Sequence, residues 1–298
     1  MPASPADSAL YRNLFNDDEV SALFTDSAEL RALMLVAGTL AKVQGALGVI
    51  PETAGAFLHR ASFEVQIDPS GLAAETARLA DPVPPLVAAF RKAAEAPEHT
   101  AHLQFGTSSD EMMDAALALR LRRVMAALDA RLAQCVAGIS GQTLSDHHQT
   151  LTVLRHEGQL IAACMTQISL AADYPAGAEV RAAFARALNL SETATASPQR
   201  HRAAMAAWLA KLVVCLQPLA STLGPTAEAS TEGAGRAMPN ALAAQCAALN
   251  GLLQAALDQP ADQARLTEWL CLPQLCILAA RAVGLVATLT SRSGRSGA

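Results

Sequence analysis

Ser108 and Ser109 stand immediately before the most regular apolar repeat in the chain. Hydroxyls and backbone N–H groups at the start of a helix can hold an anion, because the unsatisfied donors and the helix dipole both favour negative charge. The same stretch has a second reading. Ser108-x-x-Glu111 spells a capping box, in which the Ser hydroxyl takes an orphan N–H and the Glu carboxylate reaches back. Further along, His156 and Glu157 are adjacent titratable side chains, of the types that move protons in acid–base catalysis. Metal chemistry has no comparable foothold. His147 and His148 are neighbours rather than a helical turn apart, and Cys135, Cys164, Cys215, Cys246, Cys271 and Cys276 contain no C-x-x-C pair. Most of these cysteines sit in apolar helical stretches, which predicts buried free thiols in a reducing compartment.

The surrounding composition sets the frame for that chemistry. Apolar residues make up 52% of the chain, charged residues 16% and aromatic residues 4%. A core with so few rings is built from Leu, Val, Ala and Met, and Ala, Leu and Met favour helix. The apolar content excludes a disordered chain. A net charge of −5 with scattered arginines argues against a nucleic-acid partner. No apolar run follows a basic start, so the expected location is cytoplasmic. Residues 270–290 are apolar and long enough to span a bilayer. They contain Pro273, Gln274 and Arg281, however, and a mid-bilayer Arg costs at least ~2.5 kcal/mol. They read as a bundle helix, with no membrane partner.

Helices must position the candidate groups. The spacing predicts a first long helix over 27–47, stopped by Gly48 and Pro51. Shorter helices follow, with a break at 81–85 and a loop over 95–106. The clearest element is a long helix from Ser109 to about Ser145. Met113, Leu117, Leu121, Val124, Leu128, Leu132, Cys135 and Ile139 recur on it by four and three, an apolar stripe of bundle length. Further helices are predicted over 151–172, 177–188, 198–223, 239–257 and 273–289. Ser197-Pro198 opens the third of these with a cap and a first-turn proline, and Pro218 should kink it. No stretch alternates like a strand.

Four segments, in order, resemble the 3-carboxy-cis,cis-muconate cycloisomerases of the fumarase/aspartase superfamily. The first runs from Leu14-Phe15-Asn16-Asp17 through Leu23-Phe24-Thr25-Asp26 to Asp81-Pro82-Val83-Pro84-Pro85-Leu86-Val87, similar to that family's N-P-V-x-P-L-V. Gly106-Thr107-Ser108-Ser109-Asp110-Glu111 is similar to its carboxylate-binding G-A-T-S-Q-D, with Asp110 in place of Gln. Arg155-His156-Glu157-Gly158-Gln159 resembles R-T-x-G-Q, and Glu157 stands where many superfamily members carry a catalytic His. Gly233-Ala234-Gly235-Arg236-Ala237-Met238-Pro239-Asn240 resembles the flexible loop G-S-S-x-M-P-x-K-x-N-P. There the two Ser positions are Gly235 and Arg236, and the Lys is deleted.

The resemblance implies an all-α fold: a long antiparallel bundle over 106–290, a small helical N-terminal domain over 1–105, a disordered tail over 291–298 and a missing C-terminal domain. It implies substrate contacts from Thr107, Ser108, Ser109, Arg155, Gln159, Arg236 and Asn240, with His156 and Glu157 as the remaining acid–base candidates. It implies a small polycarboxylate ligand, a homo-oligomer, and neither cofactor nor metal. The reaction implied is addition of a substrate carboxylate across a double bond to form a lactone. With the loop Ser and Lys absent, the expected activity is lost or strongly reduced. The alternative is a non-catalytic carboxylate-binding or subunit-partner protein of the same superfamily.

Overall fold

The computed structural model describes residues 8–139, 144–168, 170–171, 176–192, 197–223 and 232–296. They form an essentially all-helical protein. The chain divides into two compact units, each discontinuous in sequence: residues 1–22, 123–164 and 199–298, and residues 23–122 and 165–198. The predicted blocks 1–105 and 106–290 were contiguous instead.

The second unit is built on a helical pair. Helix α3 (Asp26–Ala46) follows the short α1 (Arg12–Phe15) and α2 (Asp18–Ser21). Thr25 caps it by accepting the Ala28 N–H, and Asp26 and Glu29 fill the first turn, where negative charge complements the dipole. Gly48 ends the turn at φ 72°, a conformation natural to glycine. Helix α4 (Glu52–Glu64) then packs back on α3 at close range. A Cβ on Gly55 would lie 2.6 Å from the Ala41 carbonyl oxygen, so the contact requires glycine. Around this pair lie α5 (Ala73–Leu79), α6 (Val83–Ala94), α7 (Pro97–Thr100) and α10 (Gly177–Ala187). Leu33, Leu40, Leu58, Leu86, Phe90 and Phe184 are fully buried in this unit. The predicted loop at 95–106 contains α7, whose start at Pro97 supplies a first-turn proline. A two-residue parallel pairing, Gln167 with Ser191 and Ile168 with Glu192, is the strand structure among the described residues.

Helix α8 (Ser109–Gly138) carries the predicted stripe and contributes to both units. Leu121, Val124, Leu128, Leu132 and Cys135 are buried as the period requires. Leu117, expected on the buried stripe, is only half-buried, whereas Met112, Ala115, Ala116, Ala118 and Leu119 beside it are buried. The helix also stops earlier than about Ser145. Gly138 presses on Thr290, with a Cβ there falling 3.1 Å from the Thr290 Cβ. A glycine at the end of an apolar run is a stop signal, and the next helix, α9, is a separate element over Ser145–Met165.

In the first unit α9 is joined by α11 (Pro198–Leu223), α12 (Glu232–Ala255) and α13 (Ala261–Ser296). The bounds of α11 match the predicted 198–223 and include Pro218. Helices α12 and α13 begin well before Pro239 and Pro273, which lie inside them. Proline costs about 3 kcal/mol in a helix interior. Burial of Met238, Leu242, Ala264, Leu272 and Leu275 outweighs that cost. Helix α13 also continues to Ser296, through the segment expected as a tail. Two helices, Pro198–Leu223 and Ala261–Ser291, have the length and composition of membrane spans, yet 61% and 50% of their most apolar windows are buried inside the protein. The cysteines are free thiols. Burial pushes Cys135 and Cys246 up to about 12.

Candidate functional site

The hydroxyl loop belongs to the second unit. Gln44, wholly buried on α3, donates to the Phe105 carbonyl at 2.8 Å and fixes the loop from below. Gly106 turns the chain at φ 64°, and Ser108 becomes the cap of α8. Its Oγ accepts the Glu111 N–H at 3.3 Å and donates to Glu111 Oε2 at 2.9 Å. The Ser108 N–H meets the same Oε2 at 2.8 Å. The other oxygen, Oε1, accepts the Ala171 N–H. Both readings of the sequence thus meet in one arrangement. The donors form an anion-binding set, and the anion they hold is the chain's own Glu111. A hydroxyl has one proton to give, so Ser108 cannot donate to an incoming carboxylate while it donates to Glu111. Thr107 and Ser109 flank it, half-buried.

The second cluster lies on α9 in the first unit. Arg155 donates through Nε to Asp129 Oδ1 at 2.8 Å and through Nη2 to Oδ2 at 3.0 Å. Gln159 adds a bond to Oδ1 at 3.0 Å. One carboxylate therefore binds two of the three residues that match the R-T-x-G-Q motif, Arg155 and Gln159, the third being Gly158. The Arg155 hydrogen bonds hold Asp129 below the usual carboxylate range, and Asp129 raises Arg155 in return. Asp129 escaped the sequence reading. Its signal is a carboxylate next to Leu128, on the edge of the apolar stripe.

Glu157 faces another way. Both its oxygens accept from Lys211 Nζ on α11, at 2.9 and 2.8 Å. His156 is exposed. Gly158 is explained by packing. A Cβ there would overlap the Trp208 ring, with Cη2 2.9 Å away, and the ring is held in place by an indole N–H bond to the Leu154 carbonyl at 3.0 Å. A groove of about 380 Å³ opens here, lined by Glu157, Leu160, Ile161, Ala207, Trp208 and Lys211.

The fourth segment departs from the resemblance in conformation. The residues aligned with a flexible loop are helical from Glu232 onward. Arg236 lies in that helix, its side chain outside the described residues. Asn240 is exposed and accepts from Gln217 Nε2 at 3.1 Å. Arg155 and Gln159 are thus brought together, on Asp129, whereas Ser108, Glu157 and Asn240 each bond a different partner. Among the described residues no group of His, Cys, Asp or Glu is arranged to hold a metal ion.

No family model matches the chain. Its backbone matches solved structures closely. The 3-carboxy-cis,cis-muconate lactonizing enzyme of Pseudomonas putida superposes with a TM-score of 0.84 at 20% identity, over 95% of this chain and 76% of that one. A fumarate lyase from Mesorhizobium sp. BNC1 gives 0.84 at 18% identity, over 93% and 75%. In sequence, the chain is 29% identical over 158 residues to the 3-carboxy-cis,cis-muconate cycloisomerase of Pseudomonas aeruginosa, covering 48% of this chain and 34% of that one. It is 30% identical over 139 residues to a nitrosuccinate lyase of Streptomyces davaonensis, covering 46% and 29%. The matched region thus spans about a third of each curated relative.

The fold is that of the fumarate lyase superfamily. Within that superfamily, the chain's sequence relatives include several 3-carboxy-cis,cis-muconate cycloisomerases, at 26–29% identity.

Proposed function

We propose that the protein is a cycloisomerase-like member of this superfamily in which lactonisation of 3-carboxy-cis,cis-muconate is lost or reduced by orders of magnitude. The observation that carries this reading is the engagement of the matched anion-binding groups by carboxylates of the same chain: Asp129 takes Arg155 and Gln159, and Glu111 takes Ser108. A substrate carboxylate would have to displace an internal one that is covalently tethered and already in place.

The chemistry points the same way. Lactonisation needs a proton donor or acceptor and stabilisation of charge on the activating carboxylate. Gly235 and Arg236 cannot replace a Ser acid–base group, and the loop has no Lys after Met238-Pro239. General acid–base catalysis contributes roughly 10²–10⁴-fold, and one preorganised charge stabiliser roughly 10²–10³-fold. These losses need not add. His156 and Glu157 are the remaining acid–base candidates. Glu157 is tied to Lys211, and His156 is exposed to water. A small polycarboxylate remains the ligand class, contacted by Thr107, Ser108, Ser109, Arg155, Gln159, Arg236 and Asn240. The protein acts as a cytoplasmic homo-oligomer.

A turnover assay of the purified full chain with 3-carboxy-cis,cis-muconate tests the proposal. The expected kcat/KM lies at least a hundredfold below about 10⁴ M⁻¹s⁻¹, the lower end of the ordinary enzyme range. A value at or above that level overturns it.

A further inference from the structure

Residues 12–21 are joined to the rest of the first unit by charge more than by apolar packing. Residues 9–21 are all described, and among them Val20 alone is buried. Helices α1 and α2 have four residues each, far fewer than a helix needs to stand alone in water. Two arginines hold them. Arg281 on α13 donates through Nε to the Leu14 carbonyl at 3.1 Å and through Nη2 to the Asn13 carbonyl at 2.7 Å. Arg131 on α8 donates to both oxygens of Asp17, with Nη2 3.1 Å from Oδ1, and to Glu19 Oε2 at 2.7 Å. Its Nη1 also reaches the carbonyl of Ala280, the residue before Arg281, at 3.2 Å. The Asp17 and Arg131 side chains are only 12% and 18% exposed. Asp17 meanwhile caps α2 by accepting the Val20 N–H at 3.0 Å. One carboxylate therefore ties α2 to α8, and Arg131 ties both to α13.

The dependence is mutual. Arg281 is the one charged residue in the sequence from 269 to 291. Burial pushes its guanidinium below the usual range, and the Asp17 carboxylate opposes that shift. Residues 13 and 14 supply the acceptors that a half-buried cation requires. All of these groups lie in one unit.

We infer that residues 12–21 are a latch, with Asp17 as its bolt, that opens and closes over the seam between α8 and α13 while those helices stay folded. The seam itself is independently packed: Cys135 meets the Val283 carbonyl along it, and Gly138 presses on Thr290. A segment with one buried apolar side chain carries little of the hydrophobic term that holds the unit together. Segments of that kind open locally, well below the cost of global unfolding. The charge-assisted fork between Arg131 and Asp17 is what keeps this one shut. Opening exchanges the chain's own acceptors for water around Arg131 and Arg281, so the latch switches two covered cations into exposed ones.

Hydrogen exchange of the full chain, read by mass spectrometry on peptides covering 10–24 and 270–290, tests the latch. In the parent the first peptide should exchange roughly tenfold or more faster than the second. Asp17→Asn keeps the cap, because Asn is as good an N-cap as Asp, and removes the charge. It should quicken exchange over 10–24 by about tenfold or more and leave 270–290 unchanged. Arg131→Gln should do the same. The double variant should be no more than about threefold faster than either single one, since both substitutions remove the same fork. Arg12→Gln removes the exposed pair with Asp18 and should change the rate by less than about twofold. Exchange over 10–24 that stays within about twofold of the parent in Asp17→Asn and Arg131→Gln overturns the inference. So does an Arg12→Gln effect as large as that of Asp17→Asn, which would put the bolt at the exposed pair. Exchange over 10–24 that rises only together with 270–290 overturns it as well, because the segment would then open only when the unit unfolds.

Discussion

Arg155 on α9 grips Asp129 on α8 with two parallel hydrogen bonds, at 2.8 and 3.0 Å, from 26 residues further along the chain. Such fork geometry is the strongest pairing available to a guanidinium. Arg155 is drawn toward the chain's own carboxylate, in the position where the sequence resembles a substrate-binding motif.

That pairing has a pH signature. Arg155 holds Asp129 below the usual carboxylate range, so the folded pKa is depressed relative to the unfolded chain. A depressed carboxyl contributes stability above the unfolded pKa of about 3.9 and loses it as pH falls through the folded value. The pair is about one-third exposed, which limits the contribution to ~0.5–1 kcal/mol after solvent screening. Asp129→Asn should lose that much at pH 7, measured by urea unfolding, and the gap to the parent should close below about pH 4. A gap that persists unchanged to pH 3 would rule out the ion pair as its cause.

Ser108 should behave as a cap. Ser108→Ala removes the hydroxyl that accepts the Glu111 N–H and should cost roughly 0.5–2 kcal/mol. Ser108→Asn supplies another good cap and should stay within about 0.5 kcal/mol of the parent. If Ala and Asn prove equally tolerated in equilibrium unfolding, the cap is not holding the start of α8.

Gly158 is a packing glycine. A methyl group there would overlap the Trp208 ring, which its bond to the Leu154 carbonyl prevents from tilting freely. Gly158→Ala should destabilise by about 1–3 kcal/mol, the usual cost of overpacking, and shift the tryptophan emission. An unchanged unfolding midpoint would show that α9 and α11 can separate without penalty.

The sequence disclosed what is local and concealed what is tertiary. Helix α11 was legible to its ends because Ser197-Pro198 spells a start signal and the apolar period after it is unbroken. The Ser108–Glu111 box was legible because both partners sit within one turn. Gly138 was passed over as a stop because the apolar stripe continues through Ile139. Pro239 and Pro273 were mistaken for helix starts, since their local cost is plain and the burial that offsets it is not. Asp129, Lys211 and Glu268 could not be matched to Arg155, Glu157 and Arg202, from which they lie 26, 54 and 66 residues away. Which carboxylate meets which cation is decided by helix packing alone.

The Arg202–Glu268 pair supplies the sharpest test of that packing. Arg202 on α11 donates through Nε to Glu268 Oε1 on α13 at 2.9 Å, and Nη2 lies 2.8 Å from Oε2. The side chains are only 10% and 9% exposed. Two charges withdrawn from water lose several kcal/mol of solvation each, and their attraction repays it only while both are present. Removing one leaves the other buried without its counter-charge. Glu268→Gln should therefore cost about 3 kcal/mol or more in urea unfolding at pH 7, despite its near-identical shape. Replacing both partners removes the desolvation penalty along with the attraction. The double variant Arg202→Met with Glu268→Leu should recover to within about 1 kcal/mol of the parent or exceed it. A Glu268→Gln protein as stable as the parent would mean that water reaches Arg202, and that α11 and α13 do not close over the pair.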